Sequence, residues 1–431
     1  MNYRINRFKV GAILLGLLIP GAYAQTSATW QLDKVVSLSR HGVRPQTDTE
    51  KLDKATGLQW PHFIVADGHL TGHGYTGMWQ QGQYLLSQWQ QQGLAVSNDS
   101  CPKPDQYFFW SSPSQRIKAT AKAMADGMFP GCGIIPPSVK AEYGPLFELY
   151  HLHQMHPDKA VMRQQIMARI GSPEQAKARY QADVERIRKA VCAPGSCKFL
   201  DKPWGVSFKA TGKPQLKGPG KVGATIGETV RLQYSDNLAI KDVAFGHGVD
   251  ADAVKSLMGL HAAEYNLVLD TPEFAAHAGS LLMRQILSAL TANTPLHSRY
   301  PGDARLQRPL VMFFGHDSNI AEIQTMLGFS WSLNGYPSND IPPGGTLSLA
   351  RFHNSQSAKE YVRVRFETRS LDQWRKLTPL DKQHPLLYQD FNFKGCEQTE
   401  VGTLCPLDAV VQRAAKLLVK DGQQLAVFDT K

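Results

Sequence analysis

The sequence predicts an α/β fold, with a mostly parallel central sheet built from both ends of the chain and a mainly helical segment inserted between them. Three apolar runs carry that prediction. Residues 34–38, 106–110 and 309–314 are short, rich in aliphatic and aromatic side chains, and each is followed at once by small or polar residues, as expected of buried strands. The second and third lead into helical spacing, over 115–129 behind a cap at Ser112 or Ser114 and over 319–327 behind Asp317 or Ser318. Strand, loop, helix in that order is the grammar of a parallel sheet covered by helices.

The other elements follow in order. Residues 157–191 are polar and helical, with Ala and Arg at frequent intervals and no strand-like run. Residues 198–220 are rich in Gly, Pro and Lys and predict a loop or small hairpin, while 222–234 and 274–290 return to helical spacing. Strand character reappears at 345–352 and 360–367, as an antiparallel pair. The expected plan is a core from 25–150 and 295–431, with a mainly helical insert and cap over 151–294.

With 431 residues, 42% hydrophobic and 19% charged, the chain has ordinary globular composition, which excludes disorder, collagen and coiled coil. Its 47 basic and 37 acidic residues give a net charge of +10. That balance suits nucleic acid, an anionic surface or a small anionic substrate, and does not choose among them. The first residues narrow it. Arg4, Arg7 and Lys9 precede an apolar run over 10–19 and an Ala22-Tyr23-Ala24 site, the layout of a secretory signal peptide cleaved after Ala24. The run is far shorter than the roughly 20 residues of a membrane span. Removing the three basic residues takes the charge from +10 to +7. Export to the periplasm or beyond makes disulfides the expected state of the six cysteines. They fall into the sequence-local pairs Cys101–Cys132, Cys192–Cys197 and Cys396–Cys405.

Chemistry gathers where the strands end. Ser39-Arg40-His41-Gly42-Val43-Arg44-Pro45 follows the first apolar run and sets two guanidinium forks beside an imidazole, a combination suited to phosphate oxygens. Cationic neighbours would repel a metal ion, so no metal is expected there. Gly315-His316-Asp317-Ser318-Asn319 follows the third run, and Arg116 opens the helix after the second. Taken singly, these read as a surface turn, a helix cap and a solvated charge. Together they bring Arg40, His41, Arg44, Arg116, His316 and Asp317 to one sheet edge, where ligands of open α/β sheets bind. A neutral His41 among arginines is a natural nucleophile toward phosphorus. Asp317 would protonate the leaving oxygen, which predicts an acidic optimum without a cofactor.

These motifs resemble those of the histidine acid phosphatases, in particular the bacterial periplasmic phytase branch that includes glucose-1-phosphatases. The likeness runs through Ser112-Pro113-Ser114-Gln115-Arg116, the local cysteine pairs and Ile341-Pro342-Pro343-Gly344. The resemblance implies a phosphoglycerate-mutase-like α/β domain with a smaller α domain. It also implies His41 as nucleophile, Asp317 as proton donor, and Arg40, Arg44, Arg116 and His316 as phosphate ligands. Thr47 matches a threonine of the phytase branch. Two departures stand out: Pro45 comes one place early, with Gln46 at the usual proline position, and Asp48 replaces a basic residue found in some members.

Other candidates carry less. His151, His153 and His156 alternate in a metal-like spacing without adjacent acidic or thiol ligands, and read as structural. Glu228 reads equally as a cleft residue or a solvated helix-face carboxylate. The basic residues between Arg163 and Lys189 are interspersed with acids and lack aromatic interleaving, unlike a nucleic-acid groove. The expected activity is that of an exported, monomeric phytase acting on a small anionic phosphate ester, with no nucleic-acid or membrane partner. A glucose-1-phosphatase is the near alternative, and a non-catalytic phosphate-binding protein the distant one.

Overall fold

The computed structural model describes Met1 and residues 30–97, 100–354 and 357–430. The expected signal segment and its cleavage point fall in 2–29, outside the described residues. Along the chain run β1 (Trp30–Arg40), α1 (Thr49–Thr56), α2 (Gly72–Gln91), β2 (Tyr107–Ser111), α3 (Gln115–Met128), α4 (Lys159–Ile170), α5 (Pro173–Val191), β3 (Gly205–Phe208), β4 (Pro214–Lys217), α6 (Pro219–Ser235), α7 (Ala251–Ser256) and α8 (Gly259–Glu264). There follow α9 (Pro272–Thr291), β5 (Leu310–Gly315), α10 (Asp317–Leu327), β6 (Thr346–Asn354), β7 (Ser357–Thr368), α11 (Leu371–Lys376), β8 (Leu387–Asp390), β9 (Glu397–Thr399), β10 (Gly402–Pro406) and α12 (Leu407–Ala415).

The three apolar runs become β1, β2 and β5, which lie side by side and parallel in the order β2-β5-β1. Their alternation explains the two cores. Leu310, Met312 and Phe314 pack with Val35 and Phe109 against Leu85, Ile117 and Met124 of α2 and α3. Val311 and Phe313 point the other way, with Val36, Leu38, Phe108 and Trp110, toward Leu282 and Ile286 of α9 and Ile320 and Ile323 of α10. A strand buried on both faces has no polar side, so its sequence reads as a continuous apolar run. Each such side chain contributes roughly 1.5–3 kcal/mol relative to exposure, and a one-residue slip would exchange the two faces.

The sheet as a whole is mixed, which corrects the expectation of a mostly parallel one. It continues from β1 through β6, β7, β10 and β9, with β8 also on β7, and every one of these pairings is antiparallel. The connections from β6 to β7 and from β9 to β10 are only a few residues long. Such links permit hairpins, whereas a parallel crossover needs a dozen residues or more. The helical stretch at 157–191 is also two helices. Gly171 breaks it with φ +77, and Ser172 then caps α5 by accepting from Gln175 N, whose side chain returns the bond to Ser172 N. The Gly, Pro and Lys-rich stretch contains the β3–β4 hairpin. All three sequence-local disulfides are present. Among the described residues no helix is long and apolar enough to cross a membrane.

Candidate active site

Sheet register brings the three motifs together. Arg40 pairs with Gly315 across β1 and β5, and Ser111 pairs with Phe314 across β2 and β5, so three strands end level. The chain then turns at once into α3 and α10, which puts Arg116 and Asp317 in their first turns. The His41 loop is packed tightly against α2. A Cβ on Gly42 would meet Met78 Cγ at 2.7 Å, and one on Gly74 would meet Val43 O at 2.3 Å. Gly344 N donates to His41 O (2.9 Å), and Arg40 Nη1 donates to Ile341 O. The Ile341-Pro342-Pro343-Gly344 segment is therefore a brace for Arg40 and His41.

The hydrogen bonds assign the His41 tautomer. Nδ1 lies 2.9 Å from Gly42 O, and a carbonyl only accepts, so Nδ1 carries the proton. Nε2 keeps its lone pair, with Arg44 Nε the donor facing it at a long 3.4 Å. Burial and the nearby charges of Arg44, Arg40 and Arg116 hold the imidazole well below the usual histidine range, hence neutral. Burial likewise brings Arg44 down to about 10, still a cation at any working pH. Nε of Arg40 and Nε of Arg116 are buried donors with no acceptor. Leaving such groups unpaired costs about 1–3 kcal/mol each, and an anion accepting from them would recover it.

Asp317 faces Arg40 Nη2 at 2.9 Å, and its Oδ1 accepts from Ser318 N at 2.8 Å. The cap of α10 is His316, whose N donates to Asn319 Oδ1, and not Asp317 or Ser318; Asp317 is the first helical residue. Burial pushes this carboxyl up, but the adjacent Arg40 guanidinium pulls the other way, and the net direction is down. Asp317 is a carboxylate in the free site.

Beyond Arg40 the charges alternate inward. Arg40 pairs with Glu228, Glu228 with Arg231, and Arg231 with Asp340 (2.6 Å), while His261 Nε2 lies 3.7 Å from Glu228 and 3.6 Å from Asp340. Glu228 is also 4.0 Å from Arg44. Burial alone would raise Glu228, but Arg231, Arg40, His261 and Arg44 drive it well below the carboxylate range. This glutamate is no solvated helix face. It anchors the site arginines, and the i, i+3 pair with Arg231 on a helix buried nearly all round is the signal that could have revealed it. Arg231→Met leaves the buried Asp340 without its arginine and Glu228 with Arg40 and Arg44 alone, so urea unfolding should show a loss of about 3–5 kcal/mol. A loss below about 1 kcal/mol, the worth of an exposed pair, would mean that the network is solvated.

His316 accepts from Arg116 Nη2 on Nδ1 at 3.4 Å, which leaves the proton on Nε2, 3.3 Å from Glu148 Oε1. Its ring stands 6.2 Å from that of His41, edge-on. Glu148, which the sequence motifs do not reveal, is buried and accepts from Gly144 N and Ser112 Oγ, each at 3.4 Å. Thr47 is exposed. A Cβ on Gly68 would lie 3.5 Å from Thr47 Cγ2 and 3.9 Å from Arg116 Nη1, so both residues border one glycine. Asp48 caps α1, accepting from Lys51 N at 3.0 Å, which gives that departure a structural role. His151 stacks on Tyr143 at 4.0 Å, and His156 N donates to Asp421 at 2.7 Å. Among the described residues no three His, Cys, Asp or Glu side chains are grouped to hold a metal.

The chain as a whole has known relatives. The pattern of the histidine phosphatase superfamily (branch 2) matches residues 31–367. Phytase AppA of Escherichia coli (strain K12) is 27% identical over 419 residues, covering 92% of this chain and 95% of the relative. A glucose-1-phosphatase of Salmonella typhimurium is 28% identical over 428 residues, covering 94% and 97%. The crystal structure of Klebsiella sp ASR1 phytase superposes with a TM-score of 0.83 at 33% identity, over 90% of this chain and 96% of that one. With a family match across most of its length and relatives of full length, the chain belongs to the histidine phosphatase superfamily, branch 2, and is a phosphatase.

Proposed function

We propose that the protein is an exported, monomeric acid phosphatase whose preferred substrate is myo-inositol hexakisphosphate. The observation that carries the mechanism is the neutral, buried His41 with a free Nε2 lone pair among three arginines. Phosphate oxygens would accept from Arg40, Arg44 and Arg116, with His316 assisting and Thr47 contacting the substrate beyond the scissile group. Nε2 attacks phosphorus in line, forming the P–N bond as the ester P–O bond breaks, and Asp317 gives its proton to the departing oxygen. Water then attacks phosphorus, Asp317 takes a proton from it, and the P–N bond breaks to release phosphate. Residues 151–294, read as a mainly helical insert, would cap the cleft from the side of Glu228.

The phytases among the relatives support the inositol phosphate reading. A sugar-phosphate phosphatase is the second reading, favoured by the acidic Asp48 next to Thr47 and by the glucose-1-phosphatase relatives. The test is direct. With EDTA present at acid pH, radiolabelled substrate should leave phosphate on His41, stable to an alkaline denaturing quench and lost in acid. Turnover without any labelled protein would replace the covalent path with direct attack by water.

A further inference from the structure

The turn over residues 144–148 holds His316 at two points, and the chemistry above uses neither. One is the main chain. Phe147 O accepts from Asn319 Nδ2 at 2.8 Å, and Asn319 Oδ1 accepts from His316 N at 2.9 Å. Gly315 leaves room for this approach, since a Cβ there would meet Phe147 Cδ1 at 2.9 Å. The other is the next side chain, where Glu148 Oε1 stands 3.3 Å from His316 Nε2.

A buried carboxylate beside a phosphate site calls for a reason, because its charge opposes the anion the site must take. The surroundings of Glu148 supply one. Its Oε2 is occupied by Ser112 Oγ and Gly144 N, which leaves Oε1 for the ring. Burial pushes this carboxyl up, the contact with His316 and the bond from Gly144 N pull it down, and the net direction is down, so it can only accept. The buried Nε2 of His316 has no well-aligned hydrogen bond, and Glu148 Oε1 is the acceptor beside it. Contacts of this kind are often bent in a free site and tighten when substrate binds.

The ring passes the constraint to Arg116. Nδ1 lies 3.4 Å from Arg116 Nη2, a donor, so it can accept only while the proton of the neutral ring sits on Nε2. Burial and Arg116 hold the ring below the usual histidine range against the pull of Glu148, so it is neutral at neutral pH. A ring carrying its proton on Nδ1 would set one N–H against another and displace the guanidinium. Arg116 Nε, buried without an acceptor, would then lose its aim at the phosphate.

We propose that Glu148 is a positioning residue, which keeps the proton of His316 on Nε2 and fixes the ring so that the ring holds Arg116 in place for the phosphate. This inference rests on the reading of Arg116 and His316 as phosphate residues, and the test separates the two. Wild type and Glu148→Leu are labelled with ¹⁵N-histidine and compared at neutral pH, the His316 signals being those lost in His316→Ala. Wild type should show the Nε2–H tautomer alone, and Glu148→Leu a mixture of both. KM for p-nitrophenyl phosphate and the inhibition constant of inorganic phosphate should each rise about tenfold in Glu148→Leu, the scale of one weakened hydrogen bond to a charged group, and the loss should fall mainly on KM. In a His316→Ala background Glu148→Leu should cost nothing further, since residues that act through one another are not additive. A proton on Nδ1 in the wild type, an unmoved tautomer or KM in the Leu variant, or additive losses overturn the proposal. Should Glu148→Leu fail to fold, Glu148→Asp, which keeps the charge but draws it back by one methylene, should move both readouts in the same sense, and either one unmoved overturns it. Unchanged phosphate inhibition in Arg116→Ala would instead sink the reading of the site, whatever the spectrum shows.

Discussion

His41→Ala should lower kcat on p-nitrophenyl phosphate about 10⁴-fold or more, the scale seen when a nucleophile acting within a catalytic unit is removed. The structure gives His41 no other visible task. Its ring is buried, its one firm bond is Nδ1–H to Gly42 O, and its Nε2 faces only a long contact from Arg44. The loop around it is held without the ring, through Gly344 N to His41 O and Gly42 N to Thr120 Oγ1. The variant should therefore fold and still bind inorganic phosphate through its arginines, as calorimetry would record. Full activity would remove His41 from the mechanism. Loss of phosphate binding together with activity would show instead that the ring builds the site.

Asp317→Asn should separate substrates by leaving group. An alkoxide from inositol or a sugar departs poorly without a proton, so the loss there should be about 10²–10⁴-fold, the usual worth of a positioned general acid. A nitrophenolate leaves without help and should lose much less. Equal losses on both would mean that the residue only shapes the site. The pH behaviour follows from the ion pair with Arg40. With its pKa depressed, Asp317 is ionised in the free enzyme across the mildly acid range. An arriving phosphate adds negative charge beside it and engages Arg40, and both effects raise the carboxyl. Wild type should take up a proton on binding phosphate, visible as a buffer-dependent heat, and Asp317→Asn should not. The same sign sets stability. A depressed carboxyl contributes above its ordinary pKa and loses that contribution as pH falls through the folded value, so the Asn variant should be more destabilised near neutral pH than in strong acid.

Much of this site is legible in the order of the residues along the chain. Runs such as 309–314 can be read because a strand buried on both faces has nothing polar to mask it. The residues at their ends stand out because three separate runs are each followed by Arg or His. Where legibility ends, the cause is specific. Helix α2 is hidden because Gly72, Gly74, Gly77 and Gly82 dilute its helical signal. Gly74, Gly77 and Gly82 answer to neighbours distant in sequence, as when a Cβ on Gly82 would meet Met124 O at 2.5 Å. The short strands β8, β9 and β10 have three to five residues each, too few for a period to show.

The sequence by itself determined the α/β class, the buried parallel strands, the arginines and histidines that follow them and the local cysteine pairs. All of these are properties of a few consecutive side chains. Tertiary structure alone decided that the sheet is mixed, that Asp317 is a carboxylate before substrate arrives, and that Glu228 is tied to Arg40 and Arg231. The physical reason is common to all three. Strand pairing and ionisation are set by which groups the fold brings within a few ångströms, and spacing along the chain holds no record of those distances.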